Sequence, residues 1–547
     1  MIQFASARTL LFLCALAPAA MAAVAAPTRT AVNLAGETIY RSGLLPSGQP
    51  LRAEREGGIH LAGQSAACES CHRRSGLGAA EGRSFVPPIT GQFLFHPKAE
   101  RLEDLDLPYV EGARSNRDPY TDVTAARAIR EGIGADGHTL SYLMPHYTLN
   151  DADMASLIAY LKQLTVRSVP GVSDAVLQFA TIVTPDADPV KREAMLAVLN
   201  DYFDEKNANA RAVSPRLYSY RRQNFKVTRH WQLHVWELKG PADTWEDQLR
   251  EHQAAEPVFA VISGLGGHTW APVQHFCEQA ALPCLFPNVQ LPIVAEDDFH
   301  TLYFSKGVLL EAGLIGHQLN ERRPAHAIAR VVQVFRADDV GAAAARALAA
   351  GAHPAGLKFI NRVISGGAPE SAIAAAAGKL ETGDALVLWL RGKDLAALGP
   401  APGESTSVWI SGLMGGLELA PIPAGWRTVA RMAYPVDLPD RRRVRLDYPL
   451  GWFRIRRIPV TDLPVMADTY LACGLLSETL NHMVDTFVPD YLVERVQDML
   501  EHRIITGYYP RLSLAPGQRF ASKGGYIVRF AGESGPKLTA ASEWIVP

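Results

Sequence analysis

A multidomain fold is expected for this chain: a small all-α domain first, then a two-lobed α/β domain of parallel sheets with helices on both faces. Three observations set that expectation. The chain has 547 residues, more than a single compact core holds. Short helical patterns surround a compact Cys/His motif near residue 70. Beyond residue 175, short apolar strands alternate with helical stretches twice over. The composition excludes several classes. With 54 Lys and Arg against 56 Asp and Glu, the net charge of −2 gives no electrostatic basis for binding nucleic acid. Six cysteines in such a length do not make a disulfide scaffold, and 48% apolar content argues against disorder.

The first element is a secretory signal over residues 1–25. Arg8 supplies a positive start, Leu10 to Ala17 an apolar stretch, and Ala20-Met21-Ala22 and Ala23-Val24-Ala25 small-x-small cleavage sites. Cleavage near Ala22 or Ala25 is expected, since the apolar run falls short of the ~20 residues a membrane span requires. Cys14 leaves with this segment, and no later stretch is apolar for long enough to span a bilayer. The mature chain is read as periplasmic.

The second element carries the strongest chemistry. Cys68-Glu69-Ser70-Cys71-His72 is a C-x-x-C-H motif, in which two thiols add to the vinyl groups of haem and the adjacent imidazole reaches the iron. A thioredoxin-like pair would need a strand-to-helix unit around it, and a zinc site a second ligand pair. The flanks are instead rich in Gly and Ser, and no second Cys pair follows nearby. Downstream, Thr124 to Glu131 reads as a short helix stopped by Gly132, and Met144-Pro145 lies on a fixed loop where a thioether can face the iron. Asn150 caps a last helix with Met154, Leu157, Ile158, Leu161 and Leu164 along one face.

Residues 33–166 resemble a class I cytochrome c, an all-α domain. The matching elements are Cys68-Cys71-His72, the segment Gly132 to Tyr147 with its Met144-Pro145, and the terminal helix ending Ala159-Tyr160-Leu161-Lys162. The resemblance implies one covalent haem c, with thioethers at Cys68 and Cys71, His72 as proximal and Met144 as distal ligand. Ser42 to Gly58 reads as an insert, which leaves the usual N-terminal helix open. His96, His138 and His146 are read as solvated loop residues, because Met144 already occupies the expected place. Arg73 and Arg74 can pair with propionates or simply face solvent.

A linker is expected over residues 167–174, with Pro170 and Gly171. In the α/β region that follows, from 175 to 547, ligands sit beyond the carboxyl ends of parallel strands. That singles out the loops at 184–188, 263–269, 336–339, 391–393 and 411–416. Ser263, Gly264, Gly267 and Thr269, with Arg336 and Asp338 from the second lobe, are the candidate binding residues for an anionic small molecule. The glycine spacing is not a dinucleotide fingerprint.

This region resembles the type I periplasmic binding proteins of the branched-chain amino acid and amide class. The resemblance rests on the two-lobed order, on Tyr303 to Gly313, on Arg330 to Gly341 and on a late helix from Leu463 to Thr486, with a terminal hairpin between Tyr509 and Tyr526. It implies a small ligand between lobes that close about a hinge. Pro185-Asp-Ala-Asp-Pro189 lacks the glycines usual there, which disfavours an amino acid. Cys277 and Cys284 are a possible disulfide, and Cys473 a core residue. Arg441 to Arg445 and Arg454 to Arg457 form a basic cluster, read as a solvated loop face rather than a dock for an acidic partner.

The resulting expectation is an exported mono-haem cytochrome that exchanges electrons with a periplasmic dehydrogenase or oxidase, fused to a small-molecule-binding or partner-docking domain. The alternative is a ligand sensor or delivery protein in which haem senses redox state or tethers the chain to a respiratory partner. No enzyme is expected, since the large domain offers no Ser-His-Asp order, carboxylate pair or metal cluster.

Overall fold

The computed structural model describes residues 31–81, 84–96, 118–164, 169–212, 229–321, 328–351, 356–483, 486–515, 517–532 and 534–547. The expected export signal and the first residues of the linker lie outside them. Among the described residues no helix is long and apolar enough to cross a membrane.

Helix Ala31–Ser42 opens the small domain and settles the N-terminal helix. It crosses helix Asp151–Gln163 so closely at Gly36 that a Cβ there would overlap the Ser156 carbonyl. Asn150 caps the second helix by accepting from the Asp153 amide at 2.8 Å, and Met154, Leu157, Ile158 and Leu161 are buried along its inner face. Helix Asp122–Glu131 stops where Gly132 turns left-handed.

The domain is not all-α. Strands β1 (Arg52–Arg55) and β2 (Ile59–Ala62) form from the insert-like stretch and its continuation. Strands β3 (Ala79–Glu81) and β4 (Ser84–Val86) pair with each other after the haem motif. β5 (His146–Thr148) then pairs antiparallel with β1, Tyr147 opposite Ala53. The insert thus supplies a strand that anchors the chain directly after Met144-Pro145.

The large domain has two sheets. β6 (Val176–Val183), β7 (His230–Glu237), β8 (Ala260–Ile262), β9 (Cys284–Leu285) and β10 (Thr301–Leu302) run parallel in the order β10-β9-β8-β6-β7. The second sheet holds β11 (Arg330–Arg336), β12 (Lys358–Ile364), β13 (Asp384–Trp389), β14 (Ser407–Ser411), β15 (Ala430–Tyr434), β16 (Tyr526–Phe530) and β17 (Leu538–Ala540), in the order β12-β11-β13-β14-β15-β16-β17. Its first five strands are parallel, and β16 and β17 add an antiparallel hairpin. Both lobes reverse strand direction of growth beside their first strand. The switch points fall between β6 and β8 and between β11 and β13, where the loops after these strands diverge.

Two expectations change. The terminal hairpin is β16–β17, beyond the segment from Tyr509 to Tyr526, because the alternating apolar residues able to pair begin only at Tyr526. The arginine cluster is a helix, Pro439–Arg456, rather than a solvated loop. Arg442 is buried on Glu418 and the Tyr434 hydroxyl, Arg445 pairs with Asp437, and Arg456 meets Glu205 at 2.8 Å. These three arginines are taken up by internal carboxylates, whereas Arg441, Arg443, Arg454 and Arg457 stay exposed.

The small domain sits on helix Pro489–His502 of the large domain and on the strip around Phe299. Leu77, just past the haem motif, is buried in the large domain's apolar core.

Candidate functional site

The C-x-x-C-H residues enter a four-residue helix, Glu69–His72, whose tight turn brings both thiols and the imidazole to one wall. Cys68, Cys71, His72 and Met144 all line one cavity of about 350 Å³, whose other walls include Phe93, Leu94, Leu157 and Leu161. That volume lies in the ~300–1,000 Å³ range of cofactor pockets. The lining is largely apolar, as a macrocycle requires.

His72 is buried, and its Nδ1 lies 3.0 Å from the Pro87 carbonyl oxygen. The Nδ1–H donates to that oxygen, so Nε2 carries the lone pair a metal takes. Burial lowers the imidazole to about 4, so it is neutral at physiological pH. Burial pushes the Cys68 thiol up to about 12, against a hydrogen bond from Tyr147. Cys71 is partly exposed and its Sγ lies 3.8 Å from Arg55 Nη2. Met144 is held by its amide donating to the Ser141 carbonyl at 2.8 Å. This set fits a covalent haem. His138 borders the same cavity but is mostly exposed and lies 3.3 Å from Asp136, while His96 and His146 are exposed and do not line it.

The predicted binding loops are brought together within each lobe but are already engaged. Ser263 is fully buried, with its hydroxyl 2.9 Å from Thr469 Oγ1 and accepting from Asn288 Nδ2 at 3.0 Å. Gly264 packs under Trp270. The Gly267 amide donates to Thr184 Oγ1 at 3.0 Å and the His268 amide to Asp186 Oδ2 at 2.7 Å. An internal carboxylate therefore occupies the place predicted for an anion. Burial raises Asp186, yet the Thr184 hydroxyl and the His268 amide and ring outweigh it and hold the carboxyl below its ordinary value. Thr269 caps the following turn by accepting from the Ala271 amide at 3.3 Å. In the second lobe Arg336 is gripped by both oxygens of Asp394 at 2.7 and 2.8 Å and by three carbonyls, and Asp338 is exposed. Gln290 joins the lobes, accepting from Arg391 Nη1 at 3.2 Å and donating to the Leu413 carbonyl at 3.0 Å. Cys277 and Cys284 are buried thiols in hydrogen-bond contact.

A buried ionic cluster joins the domains. His300 is 1% exposed; its Nε2 lies 2.8 Å from Asp490 and its Nδ1 3.3 Å from Glu278. Arg41 and Arg74 reach Asp490 at 3.5 and 3.6 Å, and Arg74 stacks 4.5 Å over Phe299. Burial alone would lower His300, but its two carboxylates overcome that and raise it. Burial would raise Glu278, but His300 and the Phe299 and His300 amides bring it down to about 2. Asp490 is likewise held well below its ordinary value, chiefly by His300 against burial. Arg74, a propionate candidate in the sequence, is taken by Asp490 instead, and the Pro87 carbonyl, Arg55, His300, Glu278 and Asp490 carry no local signal, since their roles depend on contacts made only in the folded chain.

The fold and the cavity define a haem-binding domain of cytochrome c type joined to a two-lobed α/β domain. In agreement, residues 60–165 match the family described as Cytochrome c, which implies a covalently bound haem c. No curated protein matches the chain. Among solved structures it is similar to a fatty acid ABC transporter substrate-binding protein from Thermomonospora curvata, at 13% identity and a TM-score of 0.47, covering 70% of this chain and 95% of that one. It is also similar to the branched-chain amino acid binding protein LivJ from Streptococcus pneumoniae, at 12% identity and a TM-score of 0.47, covering 68% and 100%. A possible leucine/isoleucine/valine-binding protein from Rhodopirellula baltica matches at 12% identity and a TM-score of 0.48, covering 68% and 97%.

Proposed function

We propose that the chain is an exported c-type cytochrome with one haem, which exchanges electrons with a periplasmic dehydrogenase or oxidase and is not an enzyme. Residues 33–166 form its haem domain, 167–174 the linker and 175–547 the binding-protein-like domain, after cleavage of residues 1–25. Cys68 and Cys71 hold the haem through thioethers, with His72 and Met144 on the iron. Once bound, the group supplies one-electron redox chemistry. The chain's own work is to keep His72 neutral with Nε2 free, to place Met144 through the β5 pairing, and to exclude water with Phe93, Leu94, Leu157 and Leu161. The observation that carries this reading is that the two thiols, the imidazole and the thioether line a single apolar cavity.

For the large domain, docking of a partner is favoured over delivery of an anionic small molecule. The support is that the loop's amides are already engaged, His268 by Asp186 and Gly267 by the Thr184 hydroxyl. The test is a haem stain after denaturing electrophoresis of periplasmically matured protein. Wild type retains haem, and Cys68→Ser/Cys71→Ser loses it; haem lost from wild type, or retained by the double variant, would overturn the assignment.

A further inference from the structure

The residue after His72 holds an unusual backbone conformation. Arg73 has φ 64 and ψ 169, a region that is almost reserved for glycine and that persists only where surroundings impose it. Here they do so from both domains. On one side, the buried Tyr40 donates its hydroxyl to the Arg73 carbonyl at 2.7 Å. On the other, Glu494 of helix Pro489–His502 takes both polar groups of Ser75, its amide at 2.9 Å and its hydroxyl at 2.6 Å. Ser75 and Glu494 are 1% and 4% exposed, so neither has water as an alternative partner.

The grip is extended along the helix. Asp490, Glu494 and Asp498 recur every four residues and therefore share one face. Asp490 faces Arg74 at 3.6 Å and Asp498 faces Arg73 at 3.8 Å. The turn itself closes on the ligand, for the Gly78 amide donates to the His72 carbonyl at 3.1 Å. Leu77 then anchors the far end in the large domain's core.

We propose that Glu494 is a positioning residue for His72, so that the large domain completes the haem site by holding the turn that aims the imidazole. The inference rests on the haem reading above, which gives His72 its role. Without Glu494 two buried donors of Ser75 lose their acceptor, Arg73 relaxes to an ordinary conformation, and the imidazole moves with it. Orienting partners of metal ligands typically matter by about 10- to 100-fold.

The experiment compares haem-loaded full-length wild type, Glu494→Gln, Glu494→Ala and Glu494→Ala/Arg73→Gly by spectroscopic redox titration. At a fixed ambient potential, the oxidised-to-reduced ratio of Glu494→Ala is expected to change about 10-fold, the lower end of that range. Glu494→Gln keeps an oxygen acceptor for the Ser75 amide and stays near wild type. Arg73→Gly makes the turn comfortable without Glu494 and returns the ratio toward wild type, which a loss of general stability would not do. An unchanged ratio in Glu494→Ala, or a changed one that Arg73→Gly leaves unrescued, overturns the proposal while the haem reading stands. Wild type that carries no haem overturns both.

Discussion

Asp490 is the hub of the domain interface, and its replacement by alanine tests whether the two domains form one cooperative unit. The carboxylate meets His300 at 2.8 Å, Arg41 at 3.5 Å and Arg74 at 3.6 Å, and is itself only 16% exposed. At an effective dielectric of about 20, a unit pair near 4 Å attracts by about 4 kcal/mol, most of which offsets desolvation. Removing Asp490 takes the ion pair from Arg74 at the interface and one of two carboxylates each from His300 and Arg41, which keep Glu278 and Glu37. The expected loss of docking free energy is about 3 kcal/mol, the lower end for breaking a buried pair since two of the three cations keep a carboxylate, on the order of a hundredfold in the docking equilibrium by the rule of about 1.4 kcal/mol per tenfold. Urea unfolding reads it directly. All nine tryptophans lie between Trp231 and Trp544, so their fluorescence reports the large domain alone, while haem absorption reports the small one. In wild type the two transitions coincide; in Asp490→Ala the haem transition separates to lower urea. Coincident transitions at the wild-type midpoint in the variant would refute the reasoning.

The same cluster sets a pH dependence. His300 is raised, so its contribution is fully present below the ordinary imidazole value of ~6.5 and lost as pH rises through the higher folded value. Glu278 is lowered, so its contribution is present above ~4.3 and lost as pH falls toward about 2. Above the ordinary imidazole value of ~6.5 the urea midpoint therefore falls in wild type as pH rises; an equal slope in His300→Gln would dismiss the ring as the cause. Met144→Ala is expected to turn a low-spin haem high-spin or shift it to His ligation, with His138 at the cavity rim as the available group; an unchanged visible spectrum removes Met144 from the iron. Leu157→Ala opens the haem wall and is expected to cost about 2–5 kcal/mol, measured as a lower haem-domain urea midpoint; a loss below ~1 kcal/mol would mean the wall collapses around the gap. Mass spectrometry of unreduced protein alkylated on unfolding is expected to find Cys277 and Cys284 both alkylated, as the buried thiols of the structure; a bridged pair would show a disulfide instead.

The haem motif was legible because its chemistry is compressed into five consecutive residues, and the lobes were legible because strands such as Val176–Val183 and Arg330–Arg336 are apolar runs bounded by turn residues. What stayed hidden depends on distant partners. Ser75 and Glu494 are 419 positions apart, so nothing local marks Glu494, or helix Pro489–His502 that carries it, as part of a haem site. In the sequence Asp186 is a departure from a glycine-rich pattern; that it takes the His268 amide, 82 positions away, is visible only in the fold. Charge content misled at Pro439–Arg456, where Arg442 is buried because Glu418 and Tyr434 receive it. Strand β1 was obscured because Arg52–Arg55 holds three charged residues around one buried alanine, too short an alternation to read.

His72 and Met144 are proposed as the two ligands to the iron of a covalent haem that transfers electrons. The most direct measurement is the visible spectrum of the matured full-length protein, oxidised and reduced, with carbon monoxide added to the reduced form. A low-spin spectrum in both states that carbon monoxide does not change is expected, since His72 and Met144 would leave no open position. A high-spin spectrum that shifts on adding carbon monoxide would contradict it, leaving an open iron suited to binding a small molecule rather than to passing electrons.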